Sequence, residues 1–195
     1  MNSSQIIEKD IILAVYKAEQ SVFRLTDIAM MTGENDFSRL NKKLNYYSRT
    51  GKLGNPRKGI YTKPGYTPEE LACKIFTPSY ISLRYVLQKA GIVFQYDTSI
   101  TLVSYLSRKV EVENKSFVYR KIKGYALVDT LGINRQENHV NIASPERAFL
   151  DLLYLEKDCY FDNLSPLNKE LVFNLLPLYR SEALNRRARK LLKNV

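Results

Sequence analysis

Phe37-Ser38-Arg39-Leu40-Asn41-Lys42-Lys43-Leu44-Asn45-Tyr46-Tyr47-Ser48-Arg49-Thr50-Gly51-Lys52-Leu53-Gly54-Asn55-Pro56-Arg57-Lys58-Gly59-Ile60-Tyr61 is the stretch on which the fold turns. Phe37, Leu40, Leu44 and Tyr47 recur at helical spacing and predict a helix with one buried stripe. Asn35 or Asp36 caps its start and Gly51 ends it. The opposite face carries Ser38, Arg39, Asn41, Lys42, Asn45, Tyr46 and Arg49, so cations alternate with amides and hydroxyls. Leu53 and Ile60-Tyr61 then predict two short strands around a turn made by Asn55-Pro56 and Gly59, with Arg57 and Lys58 at or near the tip.

The segments before this stretch complete a pattern. Ile6, Ile7, Ile11, Ile12, Val15 and Tyr16 predict an amphipathic first helix. Val22–Leu25 is short and β-prone. Thr26 as N-cap, with Ile28, Ala29 and Met31 pointing inward, predicts a short second helix that Gly33 stops. Helix, short strand, helix, helix and basic hairpin is the element order of a winged helix-turn-helix, whose third helix enters the major groove. Domain boundaries follow at 1–66 and 67–195, because Pro64, Gly65 and Pro68 interrupt both periodicities.

Charge supports that reading. The chain has 195 residues and a formal net charge of +10, which alone fits nucleic acid, an acidic partner or an anionic membrane. Residues 37–68 hold eight basic groups (Arg39, Lys42, Lys43, Arg49, Lys52, Arg57, Lys58, Lys63) and no acid. A merely solvated face has no reason to exclude carboxylates over 32 residues, whereas a phosphate-facing surface does. By chemistry, Arg39, Asn41, Lys42, Asn45 and Tyr46 suit base edges. Lys43, Arg49, Lys52, Arg57 and Lys58 suit phosphates. Double-stranded DNA is therefore the expected partner.

Other classes are disfavoured. Two cysteines and one histidine cannot build a disulfide framework or a Cys- or His-rich metal centre. Met1–Gln5 lacks the basic region of a secretory signal, and no apolar run approaches membrane-spanning length, so a cytoplasmic protein without membrane contact is expected. No phosphate-cradling glycine loop is present. His139 reads as a surface residue, Cys73 as a small core residue, and Cys159 as a thiol held protonated by nearby carboxylate. Nothing indicates catalysis, a cofactor or a metal.

Beyond residue 66 the chain reads as α+β. Glu69–Phe76 and Ser79–Ala90 suggest helices. Ile92–Tyr96, Ile100–Leu106, Lys109–Val112, Phe117–Ile122, Tyr125–Val128 and Val140–Ile142 suggest strands of a half-exposed antiparallel sheet with flanking helices. Ser144 caps a helix with Pro145 at its first position, and helices Leu167–Leu176 and Glu182–Leu192 close the chain. Within the Ser144 helix, Arg147 and Asp151 form an i, i+4 pair; an intrahelical ion pair beside a buried face is favoured over a small polar site. Two further basic clusters lie at Arg108, Lys109, Lys115, Arg120, Lys121 and Lys123, and at Arg186, Arg187, Arg189 and Lys190.

Three stretches together carry a resemblance. They are the segment ending Arg57-Lys58-Gly59-Ile60-Tyr61, then Pro78-Ser79-Tyr80-Ile81-Ser82-Leu83, then Ala143-Ser144-Pro145-Glu146-Arg147-Ala148-Phe149-Leu150-Asp151-Leu152-Leu153. Over most of its length the chain resembles the AbiEi antitoxins of type IV toxin–antitoxin (abortive infection) systems. The resemblance implies an N-terminal winged helix that binds inverted repeats in the promoter of its own operon and represses it. It also implies a C-terminal domain that counteracts a nucleotidyltransferase-type toxin without a stable complex, in phage defence. On that footing Arg39, Lys42, Tyr46, Arg57 and Lys58 serve repression, and Arg108, Lys109, Arg120, Lys121 and Lys123 form the expected antitoxicity surface. The other reading is a winged-helix transcriptional regulator with a ligand-sensing C-terminal domain and no toxin partner.

Overall fold

The computed structural model describes residues 11–194, a mixture of helices and two sheets of α+β character. Ile6 and Ile7 of the expected first helix lie outside the described residues. The chain divides into two compact units. One comprises the residues up to Ile75 with Glu137–His139, the other Phe76–Gln136 with Val140 onward.

In the first unit, residues 11–17 form α1, followed by β1 (Val22–Arg24), α2 (Leu25–Thr32), α3 (Phe37–Arg49), β2 (Gly54–Arg57), β3 (Ile60–Thr62) and α4 (Pro68–Ile75). Its three-stranded antiparallel sheet has the order β1-β3-β2. Ile11, Val15, Phe23, Ile28, Leu40, Leu44, Tyr47, Leu53 and Tyr61 form one apolar core, so helices and sheet share a single burial. Asp36 is the N-cap of α3, accepting from the Arg39 amide at 2.9 Å. α2 starts two residues earlier than expected, at Leu25: Arg24 rather than Thr26 is its N-cap residue, and Asp27 Oδ2 accepts from the Arg24 amide at 2.9 Å.

Three residues of the expected apolar faces are not inside: Tyr16, Phe37 and Met31. Tyr16 is 48% exposed, its hydroxyl donating to the Lys52 carbonyl at 2.9 Å. Phe37 is 49% exposed because it is the first residue of α3, where no preceding turn lies against it. Met31, in the last turn of α2, is likewise exposed. The hairpin turn falls at Lys58-Gly59, so Gly59 lies in it as expected and Asn55-Pro56 does not; Gly59 has φ +78°, open to glycine without strain. Pro56 instead sits inside β2, an edge strand, where a missing amide is tolerated. The register shifts across this segment, and Asn55 Nδ2 donates to the Ile60 carbonyl at 2.9 Å.

The boundary expected at 66/67 also moves, to Ile75/Phe76. α4 belongs to the first unit because its polar groups are spent there. Glu70 Oε2 accepts from the Ser21 and Val22 amides at 2.6 and 2.9 Å, and Lys74 pairs with Asp27 at 2.6 Å. The Lys74 carbonyl accepts from Arg24 Nε at 2.9 Å.

The second unit holds β4 (Ser79–Ile81), α5 (Arg84–Lys89), β5 (Ile100–Ser104), β6 (Arg108–Val112), β7 (Lys115–Lys121), α6 (Gly124–Val128), β8 (Ile133–Arg135), β9 (Asn141–Ala143), α7 (Pro145–Leu155), α8 (Lys169–Leu175) and α9 (Glu182–Leu191). Its sheet has the order β6-β7-β5-β4-β9-β8. The expected antiparallel sheet is in fact mixed: β5–β7 and β4–β9 run parallel, the other pairs antiparallel. The expected helix over Ser79–Ala90 begins as a strand and becomes helical only at Arg84. Ile92–Tyr96 forms no strand, and Tyr125–Val128 is helical because the Lys123 carbonyl accepts from both Ala126 and Leu127.

α7 begins as its residues dictate. Ser144 is the N-cap and its hydroxyl accepts from the Arg147 amide at 3.2 Å, with Pro145 in the first turn. Ala148, Phe149, Leu152 and Leu153 are buried, and α5, α8, α9 and β9 pack against this helix.

Candidate nucleic-acid interface

α3 presents Arg39, Asn41, Lys42, Asn45, Tyr46 and Arg49 to solvent, while Leu40, Leu44 and Tyr47 enter the core. Lys43 is half-buried beside that stripe. Arg57 and Lys58 are exposed on the hairpin, and Lys52 is exposed just before it with its ammonium 5.6 Å from the Tyr47 ring centre. The structure therefore places all ten candidate residues on one helix, the hairpin that follows it and the short link between them. Lys63 departs from the rest of the basic run. Its ammonium donates to the Ala18 carbonyl and lies 5.9 Å from the Phe23 ring centre, so it ties the unit together.

One connection was not visible in the sequence pattern. The hydroxyl of Tyr61, on β3, donates to Asn41 Oδ1 at 2.9 Å and lies 3.3 Å from Asn45 Oδ1. Bidentate reading of adenine by asparagine uses both amide atoms. The hydroxyl has a single proton, which goes to the nearer oxygen, so one lone pair of Asn41 Oδ1 is tied inward. The same bond fixes the hairpin against the helix face. Burial raises the Tyr61 hydroxyl above its ordinary range, which keeps it a donor. Glu34 and Asp36 place carboxylates at the α3 N-terminus, so the acid-free surface starts at Arg39 and runs toward the C-terminal end of the helix and the hairpin.

The second group of candidates sits at one edge of the six-stranded sheet. Arg108 and Lys109 lie on the edge strand β6, and both are exposed. Lys109 pairs with Glu111 at 3.0 Å, both largely in solvent, a bond that contributes little. Lys121 ends β7 and Lys123 precedes α6, again exposed. Arg120 differs: it is half-buried and bonds Glu156 at 2.9 Å. Charged residues on an edge strand also discourage pairing with other chains.

Arg147 and Asp151 form more than an intrahelical pair. Both are 0% exposed. The guanidinium donates to Asp151 Oδ1 (3.4 Å), the Tyr80 hydroxyl (3.0 Å), and the carbonyls of Ala126 (2.5 Å), Leu131 (2.7 Å) and Asp129 (3.4 Å). Asp151 also accepts from Ser82 (2.7 Å), Tyr179 (2.7 Å) and Tyr80 (3.1 Å). Burial pushes the Asp151 carboxyl up, against the pull of Arg147 and the three hydroxyls. Burial and then Asp151 push Tyr80 and Tyr179 well up, so both remain donors. Every polar atom of the pair is engaged within the protein, which makes the cluster an internal brace joining α7, β4, α6 and the turn Leu176–Tyr179. The sequence pattern pointed to Arg147 and Asp151 but not to their partners Tyr80, Ser82 and Tyr179, which are distant along the chain.

His139 is exposed and Cys73 half-buried. The Cys159 thiol is pushed up by burial and then by Glu156, with its Sγ 3.7 Å from the Glu156 carbonyl oxygen. Among the described residues, no cluster of three or more His, Cys, Asp or Glu could hold a metal ion, and no helix is long and apolar enough to cross a membrane.

No family model matches the chain. A comparison with curated proteins gives no match either. Among solved structures, the chain is similar to the crystal structure of the Rv2827c protein from Mycobacterium tuberculosis. The TM-score is 0.50 and the identity 13%, over 96% of this chain and 76% of that one. At that identity the likeness concerns fold alone.

Proposed function

We propose that the protein is a winged-helix repressor of its own operon and an antitoxin of the AbiEi kind, acting in the cytoplasm. In this reading α3 lies in the major groove and the β2–β3 hairpin is the wing on the backbone. The observation that carries it is the exposed, acid-free surface of α3 and the hairpin. Nine of the ten candidate residues there are exposed, and Tyr61 holds helix face and hairpin in one geometry. Inverted repeats in the operator recruit two copies per site. The antitoxin half rests on the motifs at 78–83 and 143–153 and on the exposed cations Arg108, Lys109, Lys121 and Lys123. Its partner is a nucleotidyltransferase-type toxin, opposed without a stable complex.

The test is binding to duplex DNA from upstream of the protein's own gene, followed by anisotropy over a salt series. Arg57→Ala with Lys58→Ala weakens binding to all sequences and flattens the log–log salt slope by about 0.9 per lost phosphate contact. An unchanged slope removes the hairpin from the interface. Co-expression with the neighbouring gene product tests the other half: Lys121→Ala with Lys123→Ala loses growth rescue while operator binding persists.

A further inference from the structure

Two basic clusters far apart in sequence meet at one point. Glu156, the residue that ends α7, accepts from Arg84 Nη2 of α5 at 2.8 Å and from Arg120 Nη1 of β7 at 2.9 Å. Its carbonyl oxygen accepts from Arg187 Nη1 of α9 at 3.2 Å. Two guanidiniums thus share one carboxylate and a third holds the same residue's carbonyl, three positive charges around one negative. Arg84 and Arg120 remain 34% and 37% exposed and Glu156 26%, so the group opens to solvent. Part of this arrangement closes a helix end, since cations near a helix C-terminus satisfy its last carbonyls. One arginine suffices for that. A guanidinium carries five donors in a fork that matches phosphate oxygens, and Arg84 and Arg120 each commit one to Glu156.

The surroundings supply a second kind of contact. The Cys159 thiol touches the Glu156 carbonyl, and Tyr160 follows it directly. The adjoining loop is pinned to this one: Asp162 Oδ2 accepts from the Phe94 amide at 2.8 Å, and the Ile92 carbonyl accepts from the amides of Asp162 and Asn163 at 3.0 and 3.2 Å. Phe94, Tyr96 and Tyr160 are 67%, 81% and 76% exposed, three aromatic rings in water on two joined loops. From Glu156 to Tyr160 the chain spans at most about 14 Å. Exposed aromatics beside an excess of arginine are the ingredients of single-strand recognition, with bases stacked on rings and phosphates on guanidiniums.

We propose that the end of α7 is a binding site for a single-stranded polynucleotide, with Arg84, Arg120 and Arg187 holding phosphate and Tyr160 and Phe94 stacking bases. Glu156 then acts as a built-in competitor that occupies the guanidiniums when no strand is bound. This site lies in the second unit and is independent of duplex binding by α3 and the hairpin.

The full chain carrying Arg57→Ala and Lys58→Ala, which suppresses the first unit's contribution, is titrated with labelled oligothymidylate and oligouridylate of about 16 nucleotides. Arg120→Gln with Arg187→Gln weakens binding and flattens the salt slope by about 0.7 per lost phosphate contact. Glu156→Gln has the opposite effect: removing the competing carboxylate tightens binding about tenfold. Tyr160→Ala, a change at an exposed position that leaves the fold intact, weakens binding about tenfold without altering the slope. The two oligomers distinguish an RNA from a DNA strand. Unchanged affinity in Glu156→Gln with native circular dichroism, or in Tyr160→Ala, overturns the proposal. Inorganic phosphate competing as well as the oligomer, per phosphate, also overturns it, because the site is then a simple anion hole. Failure here leaves the hairpin's effect on duplex binding standing, and the reverse holds equally.

Discussion

Replacing Asp151 by alanine leaves Arg147 charged, fully buried and short of its carboxylate. Removing one partner of a buried pair costs about 3–5 kcal/mol, far more than the pair itself contributes, because the orphaned charge keeps its desolvation penalty. Urea unfolding of Asp151→Ala is expected to show a loss of that size, with Tyr179→Phe losing about 1–3 kcal/mol for one buried hydroxyl bond. A loss below about 1 kcal/mol for Asp151→Ala contradicts the bracing role. At Cys159 the consequence is chemical. Its raised thiol pKa leaves less thiolate at pH 8 than an ordinary cysteine has, so alkylation is slow there and gains rate as pH rises beyond the usual thiol range. Glu156→Gln removes one cause of the rise and speeds alkylation at pH 8; an unaltered rate leaves burial as the whole cause. Tyr61→Phe releases the amide oxygen of Asn41 for about 1 kcal/mol of stability. It is expected to change base preference at adenine positions of the selected operator, read by sequencing the DNA that the variant retains from a random pool.

The elements explain why some residues were readable early and others not. α3, α7 and α9 carry apolar stripes at helical spacing and side-chain caps at Asp36, Ser144 and Ser181, so local chemistry alone defines them. β6 and β7 alternate buried and exposed residues, the period of a strand with one face covered. α6 fails that logic because it is barely more than one turn; Tyr125-Ala126-Leu127-Val128 is too short for helical and strand periods to differ. Ile92 and Val93 are buried as a strand would be, yet they cap the end of α5 by bonding back to the Leu87 carbonyl. The parallel pairings β5–β7 and β4–β9 are long-range, and nothing in a strand's own residues names its neighbour. The basic face of α3 was readable for the same reason as its stripe. The convergence of Arg84, Arg120 and Arg187 was not, because it depends on four elements meeting. In the hairpin, the strands approach closely where Gly54 faces Thr62: a Cβ at Gly54 would collide with Thr62 Oγ1. Gly54→Ala is expected to cost about 1–3 kcal/mol. Thr62→Ala in the same chain should restore most of it, and thermal unfolding of the single and double variants decides; no restoration places the clash with the backbone.

At the scale of the molecule, net charge alone would put the proposed duplex-binding surface on the wrong unit. The unit of residues 1–75 and 137–139 holds twelve basic and nine acidic groups, the other unit eighteen and eleven. The unit proposed to grip duplex DNA is therefore the less positive of the two, +3 against +7. What distinguishes it is segregation: its acids lie outside residues 37–68, several of them committed inward. Glu70 accepts two backbone amides and Asp27 pairs with Lys74, so these carboxylates serve the fold rather than opposing phosphate. This gives α4 a role that the proline-rich boundary at 64–68 conceals. A chain ending at residue 66 loses Glu70, and with it the partner of the Ser21 and Val22 amides at the start of β1, on which β3 and the hairpin are paired. Hydrogen bonds to a charged group contribute about 1.5–3 kcal/mol each. Residues 1–75 are therefore expected to unfold at a urea midpoint well above that of residues 1–66, with duplex affinity preserved in the longer fragment and reduced in the shorter. Glu70→Gln in the full chain should reproduce part of the loss. Equal midpoints for the two fragments would instead put the edge of the first unit at the prolines.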